Sequence, residues 1–144
     1  MPSLEDAIAL ALKAHNGQVD KAGQPYILHP LRVMLAVQQA GGSLEAQMAA
    51  VLHDVIEDSA YSFDDLRRDG YSETVLTALD ALTRRDGESY SDFVARAKAN
   101  PIARQVKLAD IEDNLDVRRL THITPKDAER LERYLRAREQ LLAP

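Results

Sequence analysis

Leu52-His53-Asp54-Val55-Ile56-Glu57-Asp58-Ser59 is the stretch on which the reading of this chain turns. At about 100° per residue, His53 and Glu57 fall about 40° apart, as do Asp54 and Asp58, so all four share one arc of a helix. Met48, Val51, Leu52, Val55 and Ile56 fill the opposite arc. Any amphipathic surface helix divides this way. Asp54, Glu57 and Asp58, however, have no Lys or Arg among them, and such carboxylates repel one another unless a cation comes from elsewhere. A divalent metal beside His53 would be such a cation.

Working outward, Ser43 opens this helix, predicted to run through Asp58, and Gly41-Gly42 closes the one before it. That earlier helix carries Leu31, Val33, Met34, Leu35 and Val37, with Pro30 as its predicted first residue. Residues 17–29 hold Gly17, Gly23 and Pro25 and read as an ordered loop. Ser3, with Asp6 three residues on, starts a first helix that should end near Asn16-Gly17. Downstream, Ser62 with Asp65 and then Ser72 open two shorter segments, and Ser89 with Asp92 starts a helix to Lys98. Asn100-Pro101 begins a long helix predicted to reach about Leu120, and Thr124-Pro125 begins the last, with Arg and Glu on its outer face.

Ala and Leu number 40 against 15 for Val and Ile, a balance that favours helices over strands. No repeat or dividing linker interrupts the pattern. The expected fold is all-α, one compact domain over residues 1–144, a bundle of about seven helices. With no Cys, thiolate nucleophiles, disulfides and Cys-based zinc or iron–sulfur sites are excluded. A net charge of -5 has the wrong sign for a protein that works by neutralising a nucleic-acid backbone. The acidic start and the lack of an apolar run long enough to span a bilayer point to the cytosol, with no membrane partner.

His29, held between Leu28 and Pro30, and Asp110, spaced i, i+4 from Asn114 with Lys107 one turn before it, are the other polar residues of interest. Val106, Leu108 and Ala109 around Asp110 predict its partial burial. Together His29, His53, Asp54 and Asp110 form a nitrogen and oxygen donor set suited to Mn²⁺, Fe²⁺, Zn²⁺ or Mg²⁺ with positions left open for water. Glu57 and Asp58, one turn along, would stay unligated and accept a proton from water. His15 and His122 read as capping or surface histidines, and Tyr26 as a residue that packs beneath the loop or stacks on a base, packing being the more frequent fate. Arg84, Arg85, Arg104 and Arg118 either hold phosphates or are solvated.

The ordered segments Asp20-Lys21-Ala22-Gly23-Gln24-Pro25-Tyr26-Ile27-Leu28-His29-Pro30, Leu52 through Ser59, and Val106-Lys107-Leu108-Ala109-Asp110 through Asn114 resemble the HD superfamily of metal-dependent phosphohydrolases. The resemblance spans about residues 5 to 120 and is nearer to the alarmone-hydrolase branch: the hydrolase domains of Rel/Spo-type enzymes and the small stand-alone alarmone hydrolases. It implies an all-helical HD fold and Mn²⁺-dependent removal of the 3′-pyrophosphate from guanosine tetra- or pentaphosphate, a small-molecule nucleotide substrate. It makes His29, His53, Asp54 and Asp110 metal ligands, Glu57 and Asp58 the pair that activates water, and Lys21 and Asn114 substrate contacts. At this length it also implies a hydrolase without synthetase or regulatory domains.

The chain departs from the branch at two places. Asp20 stands where relatives carry Arg, which should weaken polyphosphate binding, and Ile111-Glu112-Asp113-Asn114 replaces Arg-Leu-His-Asn. The metal set is complete while parts of the nucleotide pattern are missing. Two other functions therefore stay open: hydrolysis of another nucleotide or phosphorylated metabolite, and metal-dependent nucleotide binding without turnover.

Overall fold

In the computed structural model, which describes residues 1–144, side-chain oxygens of Ser3, Ser43, Ser62, Ser72, Ser89, Asn100 and Thr124 each accept a backbone N–H at a helix start. Every predicted cap is used as one, because a short hydroxyl or carbonyl side chain satisfies a donor the first turn leaves free. The helices are α1 (Leu4–Ala14), α2 (Leu28–Gln39), α3 (Leu44–Leu52), α4 (Val55–Asp58), α5 (Phe63–Arg68), α6 (Glu73–Ala81), α7 (Tyr90–Ala99), α8 (Pro101–Asn114) and α9 (Pro125–Leu142). A 3-10 turn at Val117–Arg119 follows α8, and the only β-type pairing is an isolated bridge between Val19 and Pro25.

Nine α-helical segments therefore replace the seven or so expected. The main difference lies at the deciding stretch: the helix from Ser43 stops at Leu52 and resumes at Val55 instead of running through Asp58. His53 Nδ1 lies 2.6 Å from the Ala50 carbonyl oxygen and takes the acceptor that a continuing helix would offer to the Asp54 N–H. The single arc proposed for His53, Asp54, Glu57 and Asp58 does not exist. α2 starts at Leu28, so Pro30 is its third residue; its missing N–H is still one that the first turn leaves unpaired. α8 ends at Asn114, well short of Leu120, where Asp116 accepts from Arg118 N and opens the 3-10 turn.

α3 is apolar around most of its circumference, with Ala46, Met48, Ala49, Ala50, Val51 and Leu52 all buried, and it occupies the middle of the bundle. Around it pack Ala7 and Ala11 of α1, Val33, Met34 and Val37 of α2, Val75, Leu76 and Leu79 of α6, and Ala103 and Val106 of α8. A smaller cluster of Val94, Ile111, Ala137 and Leu141 joins α7, α8 and α9. His29, His53 and Asp110 are thus fixed to the inner ends of packed helices. No helix is long and apolar enough to cross a membrane.

The α2 to α3 turn admits only glycine at position 42. A Cβ there would stand 2.5 Å from Val37 Cγ1 and 2.8 Å from the Val37 carbonyl oxygen, and backbone cannot yield as a flexible side chain can. Gly42→Ala is expected to destabilise the fold by about 1 to 3 kcal/mol, read as a lower urea midpoint with an unchanged slope.

Candidate metal centre

Packing of α2 against α3 and α8 brings three separated segments to one point. His29 Nε2 lies 2.8 Å from Asp110 Oδ1 and 4.0 Å from Asp54 Oδ2. His53 Nε2 lies 3.0 Å from Asp54 Oδ2 and 3.5 Å from Asp110 Oδ1. Ligand atoms of His29, His53 and Asp54 all fall within 4.8 Å of one another, a spacing that one cation can bridge. Both imidazoles and Asp110 are buried, Asp110 at 7% exposure, as its apolar neighbours predict.

The orientation of the rings tests whether a metal fits. His53 gives its Nδ1–H to the Ala50 carbonyl, and its buried Nε2 has no hydrogen-bond partner of good geometry. His29 gives its Nδ1–H to Asp113 Oδ2 at 2.7 Å, which likewise turns Nε2 toward the carboxylates. Two imidazole nitrogens facing carboxylate oxygens in a desolvated pocket are a donor set for a divalent first-row cation. The carboxylates are held as well: Lys107 Nζ donates to the outer oxygen of Asp110, Oδ2, at 3.0 Å, while Asn114 donates to Asp110 Oδ1 at 3.2 Å and the Tyr26 hydroxyl to Asp54 Oδ2, the oxygens that face the imidazoles. The residues present fit a divalent metal.

Without a cation the cluster holds protons instead. Burial alone would depress the imidazole pKa values, but Asp54, Asp110 and Asp113 outweigh it and raise both His29 and His53 above the usual 6.5. Asp54 and Asp110, whose burial would raise them, are drawn below the usual carboxylate range by the imidazoles and, for Asp110, by Lys107. Burial and the Asp54 carboxylate push the Tyr26 phenol up, so it stays a donor.

A cavity of about 580 Å³ opens beside these residues, lined by Asp54, Asp110 and His29 on one side and by Lys21, Arg84, Arg130 and Arg133 elsewhere. The Arg133 guanidinium lies 5.3 Å from the Tyr90 ring centroid, and the Tyr90 hydroxyl is buried without a partner. Burial and the charges of Arg130 and Arg133 lower the Lys21 pKa, against the pull of Asp127. The lining thus combines carboxylates with cationic side chains, of which Arg130 is paired with Asp127.

Of the predicted site residues, Lys21, His29, Asp54, Glu57, Asp110 and Asn114 line the cavity, His53 lies directly behind, and Asp58 is not on the wall. Glu57 Oε1 accepts the Arg84 N–H at 2.7 Å, which leaves its second oxygen free. Asp58 has a raised pKa, from burial and from Asp54. Asp20 is a loop brace as much as a wall residue, since its Oδ1 accepts from Ala22 N and Gln24 N at 2.9 Å each. His15 is the C-cap residue of α1, as one of its two readings expects, and is buried, with its ring 5.1 Å from that of Tyr26. Among the undecided arginines only Arg84 reaches the cavity; Arg85 pairs with Asp80, Arg104 with carbonyls near the end of α9, and Arg118 with Asp116. The sequence reading missed Arg130 and Arg133, assigned to the outer face of the last helix, and Asp113.

Residues 7–114 match the HD domain family, and the chain belongs to it. Among its relatives, a GTP pyrophosphokinase of Streptomyces coelicolor is 35% identical over 122 residues, 78% of this chain and 14% of that protein. The bifunctional (p)ppGpp synthase/hydrolase SpoT of Escherichia coli is 31% identical over 140 residues, 90% of this chain and 20% of that protein. The chain thus spans a small part of these relatives. A solved structure of a metazoan ortholog of SpoT that hydrolyzes ppGpp superposes with a TM-score of 0.76 at 24% identity, covering 99% of this chain and 87% of that one. The all-helical HD fold is shared over the whole of this chain.

A folded-state imidazole pKa above its unfolded value of 6.5 contributes stability that is fully present below 6.5 and lost as pH rises through the folded value. The chelator-treated protein should therefore lose thermal stability on going from mildly acidic to alkaline pH. Divalent-metal affinity should run the other way, because the same protons must leave before the nitrogens can ligate. Melting curves with EDTA and with Mn²⁺ across pH check both trends.

Proposed function

We propose that the chain is a metal-dependent phosphohydrolase that removes the 3′-pyrophosphate from guanosine tetra- or pentaphosphate. The observation that carries this reading is one cavity lined by His29, Asp54 and Asp110, with His53 behind them, and also by Lys21 and Arg133, which form no ion pair. That combination suits a ligand with one phosphate group at the metal and another held at a distance. The relatives' names point the same way. His29, His53, Asp54 and Asp110 would hold the metal, with Mn²⁺ the preferred ion and the cytosol the place of action.

When bound, such a metal supplies a lowered pKa for water and polarisation of a phosphoryl oxygen. Glu57, on the wall with one oxygen free, takes the proton as a water oxygen bonds to phosphorus. The bond from that phosphorus to the 3′ oxygen breaks, and the 3′ oxygen takes up a proton. Asp58, whose raised pKa gives it a greater proton affinity than an ordinary carboxylate, supports the same transfer from behind. Lys21 and Arg133 neutralise the phosphates, and Asn114, which already donates to Asp110, contacts the substrate.

A second reading keeps the chemistry and changes the substrate. Asp20 and Ile111 each stand in place of an Arg of the nucleotide pattern and Asp113 in place of its His, and α9 supplies arginines to the wall instead. Another nucleotide or phosphorylated metabolite would then be the ligand.

Incubation with Mn²⁺ and separate samples of guanosine tetraphosphate, nucleoside mono-, di- and triphosphates and NADPH, followed by ion-exchange chromatography, distinguishes these readings. Pyrophosphate release from the tetraphosphate is expected; cleavage of another compound alone would leave only the second reading, and no cleavage at all would sink both. Glu57→Gln should keep metal and fold while losing about 10²- to 10⁴-fold in turnover. Arg133→Ala should raise KM far more than it lowers kcat, by about 10- to 100-fold, as expected from losing one charge-assisted contact of about 1.5 to 3 kcal/mol.

A further inference from the structure

At the Nδ1 side of the His29 ring sits a carboxylate that the proposed chemistry does not use. Asp113 Oδ2 accepts the His29 Nδ1–H at 2.7 Å, and its Oδ1 accepts Arg32 Nε at 2.8 Å. Arg32 Nη2 adds a second bond to Oδ2 at 3.1 Å, so the guanidinium grips the carboxylate at both oxygens. Arg119 closes the cluster with a charge 3.6 Å from Oδ1 and a hydrogen bond from Nη2 to the Asp113 carbonyl at 2.8 Å. Asp113 is 12% exposed, and it does not line the cavity.

We propose that Asp113, locked by Arg32 and Arg119, is the positioning residue for His29: it fixes the ring and its tautomer so that Nε2 is presented to a divalent metal. This inference rests on the metal-centre reading given above. A carboxylate accepting the far N–H of a ligating imidazole keeps the proton off the ligand nitrogen, sets the ring plane and makes that nitrogen more basic. His29 and Arg32 are i, i+3 on α2, so one helix face presents both donors to a single residue of α8.

A side chain with this role acts on the metal only through His29, whereas a merely structural ion pair would alter stability alone. Mn²⁺ affinity is read from the free-ion signal in electron paramagnetic resonance, for the wild type, Asp113→Ala, His29→Ala and the double variant. Asp113→Ala should weaken Mn²⁺ binding about 10- to 100-fold, and should weaken it no further once His29 is already Ala. Asp113→Asn keeps the shape and one acceptor oxygen without the charge; it should give a smaller loss in the same direction, and it serves where the alanine variant does not fold. Unchanged affinity in a folded Asp113 variant, or an equal loss in the His29→Ala background, overturns the assignment. If the wild type itself binds no Mn²⁺, the metal-centre reading fails first.

Discussion

The hydrogen bond from His53 Nδ1 to the Ala50 carbonyl is the constraint from which the rest of the centre follows. By taking that carbonyl it ends α3, and by committing Nδ1 as a donor it leaves Nε2 to face Asp54 and Asp110. After the short break, the next turn carries Glu57, whose Oε1 accepts the Arg84 N–H at 2.7 Å. A continuous helix would have left His53 and Glu57 stacked on one face and competing for the same space. Helix termination and the orientation of the His53 ring thus share one cause.

The cluster around that bond is expensive to bury. Asp54, Asp110 and Asp113 lie close to His29, His53, Lys107 and Arg32, and taking such charges from water costs several kcal/mol per ion before their attraction returns it. Well-packed apolar residues would serve the fold at least as well. The apolar interior formed by α1, α3 and α6 carries the stability, while the charged set sits where α2, α3 and α8 converge. Such an arrangement is understandable as a site held ready for a ligand rather than as a strut.

The helix starts were legible because caps are local: Ser3 and Asp6, or Thr124 and Asp127, settle their geometry within four residues. The convergence of His29, His53, Asp54 and Asp110 was legible because they are residue types whose order along the chain carries chemical meaning. The break after Leu52 was not, since periodicity reports the average direction of side chains and cannot register an imidazole bending back onto its own backbone. Asp113 was visible only as a departure from a pattern, because its role depends on Arg32, far away in sequence. Arg130 and Arg133 looked like a solvated face because nothing local reveals that α9 folds over the cavity.

α9 lies beyond the residues that the HD domain family matches. The floor of the cavity, from His29 to Asp110, lies within the segment that matches the HD domain family, whereas Arg130 and Arg133 lie beyond it. The helix that carries them is fastened to α8 by Arg104, which donates to the carbonyls of Leu141 and Ala143, and by Ala137 and Leu141 against Ile111. Substitutions on its cavity face can therefore redraw which anions are welcome without disturbing the residues that would break a bond. A lineage built this way can change its diet while keeping its teeth.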